Sequence, residues 1–182
     1  MFSRMKVSVR LSLLAGSMIA LILLIGILGI SGMQSSNQAM ASVYNDRVIP
    51  LKDLKRIADM YAVNIVDTAH KVRNNELDFA QGLVNVDEAS QVIHARWDAY
   101  LATALVPEEK ELVHQLKPLL NDADKAVATL KNLLQTKDVA GLDSFVKTQL
   151  YRSIDPVSTL FSALVDVQLK VAEAAYHQSS DN

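Results

Sequence analysis

The sequence predicts an all-helical protein: an up-down-up-down antiparallel four-helix bundle with long outer helices, preceded by one transmembrane helix. Three observations carry this. An uncharged run of membrane length lies near the N-terminus. Apolar residues recur in steps of four and three through the rest of the chain. Half of the 182 residues are apolar, yet Phe, Trp and Tyr make up only 5%, with six Gly and four Pro, a composition that favours helix over sheet.

Residues 1–10 read as a short cytoplasmic tail carrying Arg4, Lys6 and Arg10. Residues 11–32 read as the membrane helix. Its uncharged heart, "LSLLAGSMIALILLIGILGI", would span roughly 30 Å, about the thickness of a bilayer's hydrocarbon core. The next basic residue is Arg47, so the positive-inside rule puts the N-terminus in the cytoplasm and the remainder outside. A cleaved signal peptide is the rival reading. Its apolar region is usually ~7–15 residues, and the small-residue stretch Ala39-Met40-Ala41 lies well beyond the run.

Residues 33–182 form the expected periplasmic domain. The first helix, Met33 to Arg73, carries Tyr44, Arg47, Leu51, Leu54, Ala58, Tyr61, Ile65, Thr68 and Val72 on one stripe. Asn74-Asn75 ends it, and Asp78 with Gln81 three residues later is a capping-box signal for the second. That helix carries Phe79, Leu83, Val86, Ser90, Ile93, Trp97 and Tyr100. Pro107-Glu108-Glu109 opens the third, with Pro in the first turn and acids at the positive dipole end. Thr136-Lys137-Asp138 separates it from the fourth, whose stripe is Val157, Phe161, Leu164, Gln168 and Val171. Three short connections imply antiparallel neighbours. The middle helices are expected at about thirty residues, roughly 45 Å, with a two-helix stalk at the membrane end. Pro50 is expected near the base of the bundle. Pro156 is expected to break or kink the fourth helix, because an interior proline loses a hydrogen bond and clashes with the preceding turn.

Setting aside Arg4, Lys6 and Arg10 leaves 15 basic against 20 acidic side chains, a net charge near −5 for the exported part. That disfavours nucleic acid or an anionic membrane surface as a general partner. With no cysteine there is no disulfide, thiolate metal site or Cys nucleophile. His70, His94, His114 and His177 are far apart in sequence and the Glu-x-x-His pattern of di-iron bundles is missing. No enzyme, metal or cofactor is expected.

Against that acidic background stands "HKVRNNELDFAQ", where His70, Lys71 and Arg73 gather at a helix end. Two readings remain open. Cations in a last turn offset the macrodipole by about 0.3–1 kcal/mol each. Alternatively, Arg73 grips a carboxylate bidentately and Lys71 adds a point charge. A second cluster is Thr148, Gln149, Tyr151 and Arg152. There an Arg152–Asp155 pair before Pro156 competes with a ligand role. Tyr61, Trp97 and Tyr100 fall on core stripes and read as packing or as the wall of a pocket.

The segments "YNDRVIPLKDL" (Tyr44–Leu54), "YAVNIVDTAHKVR" (Tyr61–Arg73), "ARWDAYLAT" (Ala95–Thr103) and "LYRSIDPVS" (Leu150–Ser158) resemble recurrent stretches of bacterial methyl-accepting chemotaxis receptors. The resemblance covers essentially the whole chain. It implies an inner-membrane receptor with a periplasmic sensor that detects a small solute, an organic acid or amino acid. The same module also heads some histidine kinases and cyclases, and a coiled-coil scaffold without a ligand is the structural alternative. In the family a second membrane helix and a cytoplasmic signalling hairpin would follow "HQSSDN", so the chain is expected to be the sensory half of a longer receptor. The resemblance further implies a homodimer through the first helix. Ile49, Ile57, Met60 and Val63, which lie off the core stripe, agree with that. It places the ligand near the distal ends of the first and fourth helices. The candidates there are Arg73, Lys71, Asn64, Thr68, Gln149, Arg152, Tyr61, Thr148 and Tyr100. Asn64 and Thr68 stand where arginines of the aspartate and serine receptors would be, so an identical aspartate site is not expected.

Overall fold

The computed structural model describes residues 7–180. Arg4 and Lys6 of the expected tail, and the final Asp181-Asn182, lie outside the described residues. The chain falls into two compact units, Met1–Ser42 and Val43–Asn182.

The described residues of the first unit belong to one helix, α1 (Val7–Val43). Within its stretch Leu11–Gln38 the most apolar 18 residues have a mean hydropathy of 2.7 and none of them is buried, so the helix is long and apolar enough to cross a membrane. The cause is the missing polar face: large side chains such as Leu14, Ile22 and Leu28 expose well over half their surface. The expected boundary between residues 32 and 33 falls inside this helix.

In the second unit α2 (Ile49–Asp59) follows a π-helical stretch at Tyr44–Val48, and a second such stretch, Met60–Asp67, leads from it to α3 (Thr68–Arg73). Together these make the first bundle helix. It ends at Arg73, where Asn75 adopts φ 61, a left-handed conformation that asparagine tolerates. The second bundle helix, α4 (Phe79–Leu101), has 23 residues, fewer than the thirty expected. The Asp78 carboxylate caps it by accepting the Gln81 N–H at 2.8 Å. The reciprocal half of the box does not form, because the Gln81 amide turns to Asn85 instead.

The third helix, α5 (Pro107–Thr136), starts and ends where the sequence signals stand, and the chain turns with Lys137 at φ 54. The fourth comprises α6 (Val139–Phe145), a π-helical stretch Val146–Leu150, and α7 (Tyr151–Ser180). Asp138 caps it through the Gly141 N–H at 2.9 Å.

Pro156 does not break the fourth helix: α7 runs through it. Proline's missing N–H frees only the carbonyl of Arg152, and both residues are exposed, so that carbonyl can meet solvent. The irregularity lies further back along the chain, in the π-helical stretch Val146–Leu150. Pro50 is buried at the start of α2, as its expected position near the base requires.

The four helices form a ring in which the first packs on the second and fourth, and the third on the second and fourth. The core contains Leu54, Ile65 and Val72 from the first helix, Val86 and Ile93 from the second, Leu116 and Leu130 from the third, and Val157 and Leu164 from the fourth. Ile57 and Met60 belong to it as well, at 0% and 4% exposure, which corrects their assignment to an outer face. A helix ringed by two neighbours buries a stripe wider than a coiled-coil seam, and residues three apart, such as Leu54 and Ile57, both fall within it. Val48, Ile49 and Val63 do stay exposed.

Candidate functional site

At the distal end the first and fourth helices are tied by a hydrogen bond of 2.8 Å between the His70 Nε2 and the Tyr151 hydroxyl, with the two rings 5.7 Å apart. This bond sets the two expected clusters at one height. Their side chains nevertheless go to different places.

Lys71 is committed to Asp67, one turn below, at 2.7 Å, and this hydrogen-bonded pair holds its ammonium above the ordinary lysine range. Arg73 lays two N–H groups, at 3.2 and 3.1 Å, on the Asn74 side-chain oxygen. Among the described residues no acidic side chain pairs with Arg73 or Arg152. The Arg152–Asp155 pair, the alternative to a ligand role, is not formed among the described residues.

Gln149 and Arg152, three residues apart, share a face turned toward the third helix. They line an open groove of about 340 Å³ together with Asp122, Lys125, Thr129 and Ser153, to which the first helix contributes nothing. Asp122 and Lys125 pair across that groove's wall at 2.8 Å. Thr148 spends its hydroxyl on the Ser144 carbonyl. Asn64 is half-buried within a π-helical stretch, and Thr68 is buried beside the closely approaching Gly82.

The aromatic candidates are core. Tyr61 and Tyr100 are 1% and 0% exposed. Trp97 stacks on Tyr100 at 5.5 Å and meets Phe161 edge-on at 5.5 Å, while Tyr61 packs on Phe161 at 6.2 Å. Neither tyrosine offers a ligand its ring face in this arrangement. Burial, with Asp124 nearby, pushes the Tyr61 phenol well above the ordinary tyrosine range.

A buried polar cluster at the opposite end of the bundle was not singled out from the sequence. Its centre is Glu109, which is fully buried. One carboxylate oxygen accepts the Tyr100 hydroxyl and the Gln168 amide, each at 2.5 Å. The other accepts the Val106 backbone N–H at 2.8 Å and faces the Arg47 guanidinium at 3.8 Å. All four bundle helices thus meet at one carboxylate. Burial, then the hydrogen bond to Glu109, raises the Tyr100 phenol far above its ordinary value and keeps it a neutral donor. The signal existed in the sequence: Arg47 and Gln168 are polar residues on otherwise apolar stripes, and a polar group in a core position requires a partner. In the sequence Glu109 is a helix-start acid; its backward reach to the Val106 N–H turns the carboxylate into the core.

Residues 4–182 match a family model described as a four helix bundle sensory module for signal transduction. The methyl-accepting chemotaxis protein NahY of Pseudomonas putida is 39% identical over 167 residues, covering 92% of this chain. The chain spans about a third of that relative's length, 31%. No solved structure matches it.

Proposed function

Because the chain belongs to the family of four-helix-bundle sensory modules for signal transduction, we propose that it is the ligand-sensing portion of a transmembrane chemoreceptor. The observation that carries this reading is the 39% identity to a methyl-accepting chemotaxis protein along nearly the whole chain. In this reading Leu11–Gln38 anchors the chain in the inner membrane, and the bundle stands in the periplasm. The basic N-terminal flank and the uncharged run that follows support that orientation.

The ligand in this reading is a small organic acid or amino acid bound near the distal ends of the first and fourth helices. Arg73 supplies a guanidinium with no acidic partner, while Asn64 and Thr148 stand on the helices that would frame the ligand. Arg152 and Gln149 would contribute from the neighbouring groove. The receptor works as a homodimer through the first helix, across the exposed Val48, Ile49 and Val63. Binding biases the fourth helix against the first only if the ligand binds the two arrangements unequally.

A thermal-shift screen of organic acids and amino acids on the full chain in detergent tests this. A binder at a hundred times its Kd stabilises by about 2.7 kcal/mol, which raises Tm by roughly 5–10 °C in a chain of this size. If no compound of these classes shifts the transition, the ligand class is wrong. With a binder in hand, calorimetry on Arg73→Ala and Arg152→Ala separates ligand contact from helix-end charge. Loss of a desolvated carboxylate partner costs about 2–5 kcal/mol of binding, whereas loss of a dipole partner leaves affinity unchanged.

A further inference from the structure

The Glu109 cluster is incomplete in a specific way. Two of its buried polar atoms have no hydrogen-bond partner: Arg47 Nη1, a donor, and Gln168 Oε1, an acceptor. They flank the same carboxylate. Glu109 has filled three of its roughly four lone-pair positions, and the open one is on the oxygen facing Arg47. The guanidinium stands 3.8 Å from that oxygen, about 0.9 Å beyond a charge-assisted hydrogen bond. Each of the other three residues is held by at least one hydrogen bond. The carboxylate is tethered to the Val106 N–H, and the Tyr100 hydroxyl and Gln168 amide bind it at 2.5 Å. Of the four residues Arg47 alone makes no hydrogen bond within the cluster, and it alone sits on a π-helical stretch, Tyr44–Val48. An i→i+5 turn holds more residues than an α-turn and is a place where a helix can change register.

We propose that Arg47 is a two-position clasp. In the arrangement described here it is open. A shift of about 1 Å of the first helix against the other three closes it, bringing Nη1 onto Glu109 and into reach of Gln168 Oε1, so that both unpaired atoms are satisfied together. The displacement is smaller than the rise of one helical residue, roughly 1.5 Å. Open and closed states each carry a cost, the unpaired atoms in one and the altered helical turn in the other, which is the condition for a switchable element. The use of this clasp in signalling rests on the sensory reading above. Its existence does not, so it can be tested without a ligand.

The test is made on the full chain in detergent. Arg47→Met, Gln168→Met and the double variant are compared by thermal unfolding. If the clasp closes, each single variant loses the same closed state. Each then lowers Tm by about 4 °C and the double variant by little more than the larger single effect. Effects that simply add would overturn the proposal; because both residues face the Glu109 carboxylate even when the clasp is open, a shared loss supports closure only together with the exchange measurement that follows. Relaxation-dispersion NMR on the Arg47 Nε signal provides a second readout that survives poor folding of a variant. The wild-type chain should show microsecond-to-millisecond exchange at this nitrogen, and Glu109→Gln should abolish it. A flat wild-type profile would equally overturn the proposal.

Discussion

Replacing Gly82 by alanine probes a close approach between the first and second helices. A Cβ at this position would lie 2.5 Å from Val72 Cγ2, 3.5 Å from Leu134 Cδ2 and 3.7 Å from Thr68 Cγ2. Carbon atoms pack at about 3.5–4.0 Å, so one neighbour must retreat by about 1 Å. Val72 cannot do so by rotating, because a β-branched side chain in a helix has one strongly preferred rotamer. The helices themselves must part. Overpacking of this kind costs about 1–3 kcal/mol, and the stiff partner argues for the upper end.

Alanine's better helix propensity returns about 1 kcal/mol. The net loss is therefore about 2 kcal/mol, or roughly 4–8 °C in Tm for a chain of this length. Circular dichroism melting of the full chain in detergent measures it. Val72→Ala alone should cost about 2 kcal/mol for lost burial. The double variant should cost at least about 1 kcal/mol less than the sum, because the new methyl enters the vacated space. A Gly82→Ala chain that melts at or above the wild-type temperature would refute the close-approach argument. Thr68 and Val72 belong to the same short helix, Thr68–Arg73, as His70 and Arg73. The contact therefore also fixes where the distal end of the first helix sits.

Two further perturbations test the packing. Ile57 is fully buried, so Ile57→Ala should cost about 2–5 kcal/mol. Val63→Glu, at 56% exposure, should leave stability within about 0.5 kcal/mol and shift sedimentation from dimer toward monomer; an unchanged mass would count against this dimer face. For Tyr61 and Tyr100 the folded state holds the phenol proton above the ordinary value of about 10. Above that pH the unfolded chain binds fewer protons than the folded one, so stability falls as pH rises. In an alkaline titration part of the phenolate absorbance should arrive only with loss of helix. Complete ionisation while the helical signal stays intact would show that these tyrosines are not sealed in the core.

Much of the fold was legible because its signals are local. Asp78 and Asp138 announce helix starts, since a cap needs only an N–H three residues away. Asn74-Asn75 and Lys137 mark helix ends because left-handed residues stop a helix wherever they fall. The site was less legible. The correspondence in height between His70 and Tyr151 follows from counting residues along antiparallel helices. The direction in which Arg152 and Gln149 point does not, and the structure turns them to the third helix.

The sequence by itself therefore determined the membrane-length helix, the four bundle helices with their breaks and caps, and the family. Each of these depends on neighbours within a turn or two, or on composition over a long window. Only the tertiary structure decided the rotation of each helix about its axis. One residue is worth about 100° of that rotation, and π-helical stretches at Tyr44–Val48, Met60–Asp67 and Val146–Leu150 shift the phase again wherever they occur. A heptad count carried across them loses its register. Ile57 and Met60 turned inward for a separate reason: a helix packed between two neighbours buries a stripe wider than a heptad seam. The meeting of Arg47, Tyr100, Glu109 and Gln168 likewise became visible only when all four helices were placed side by side.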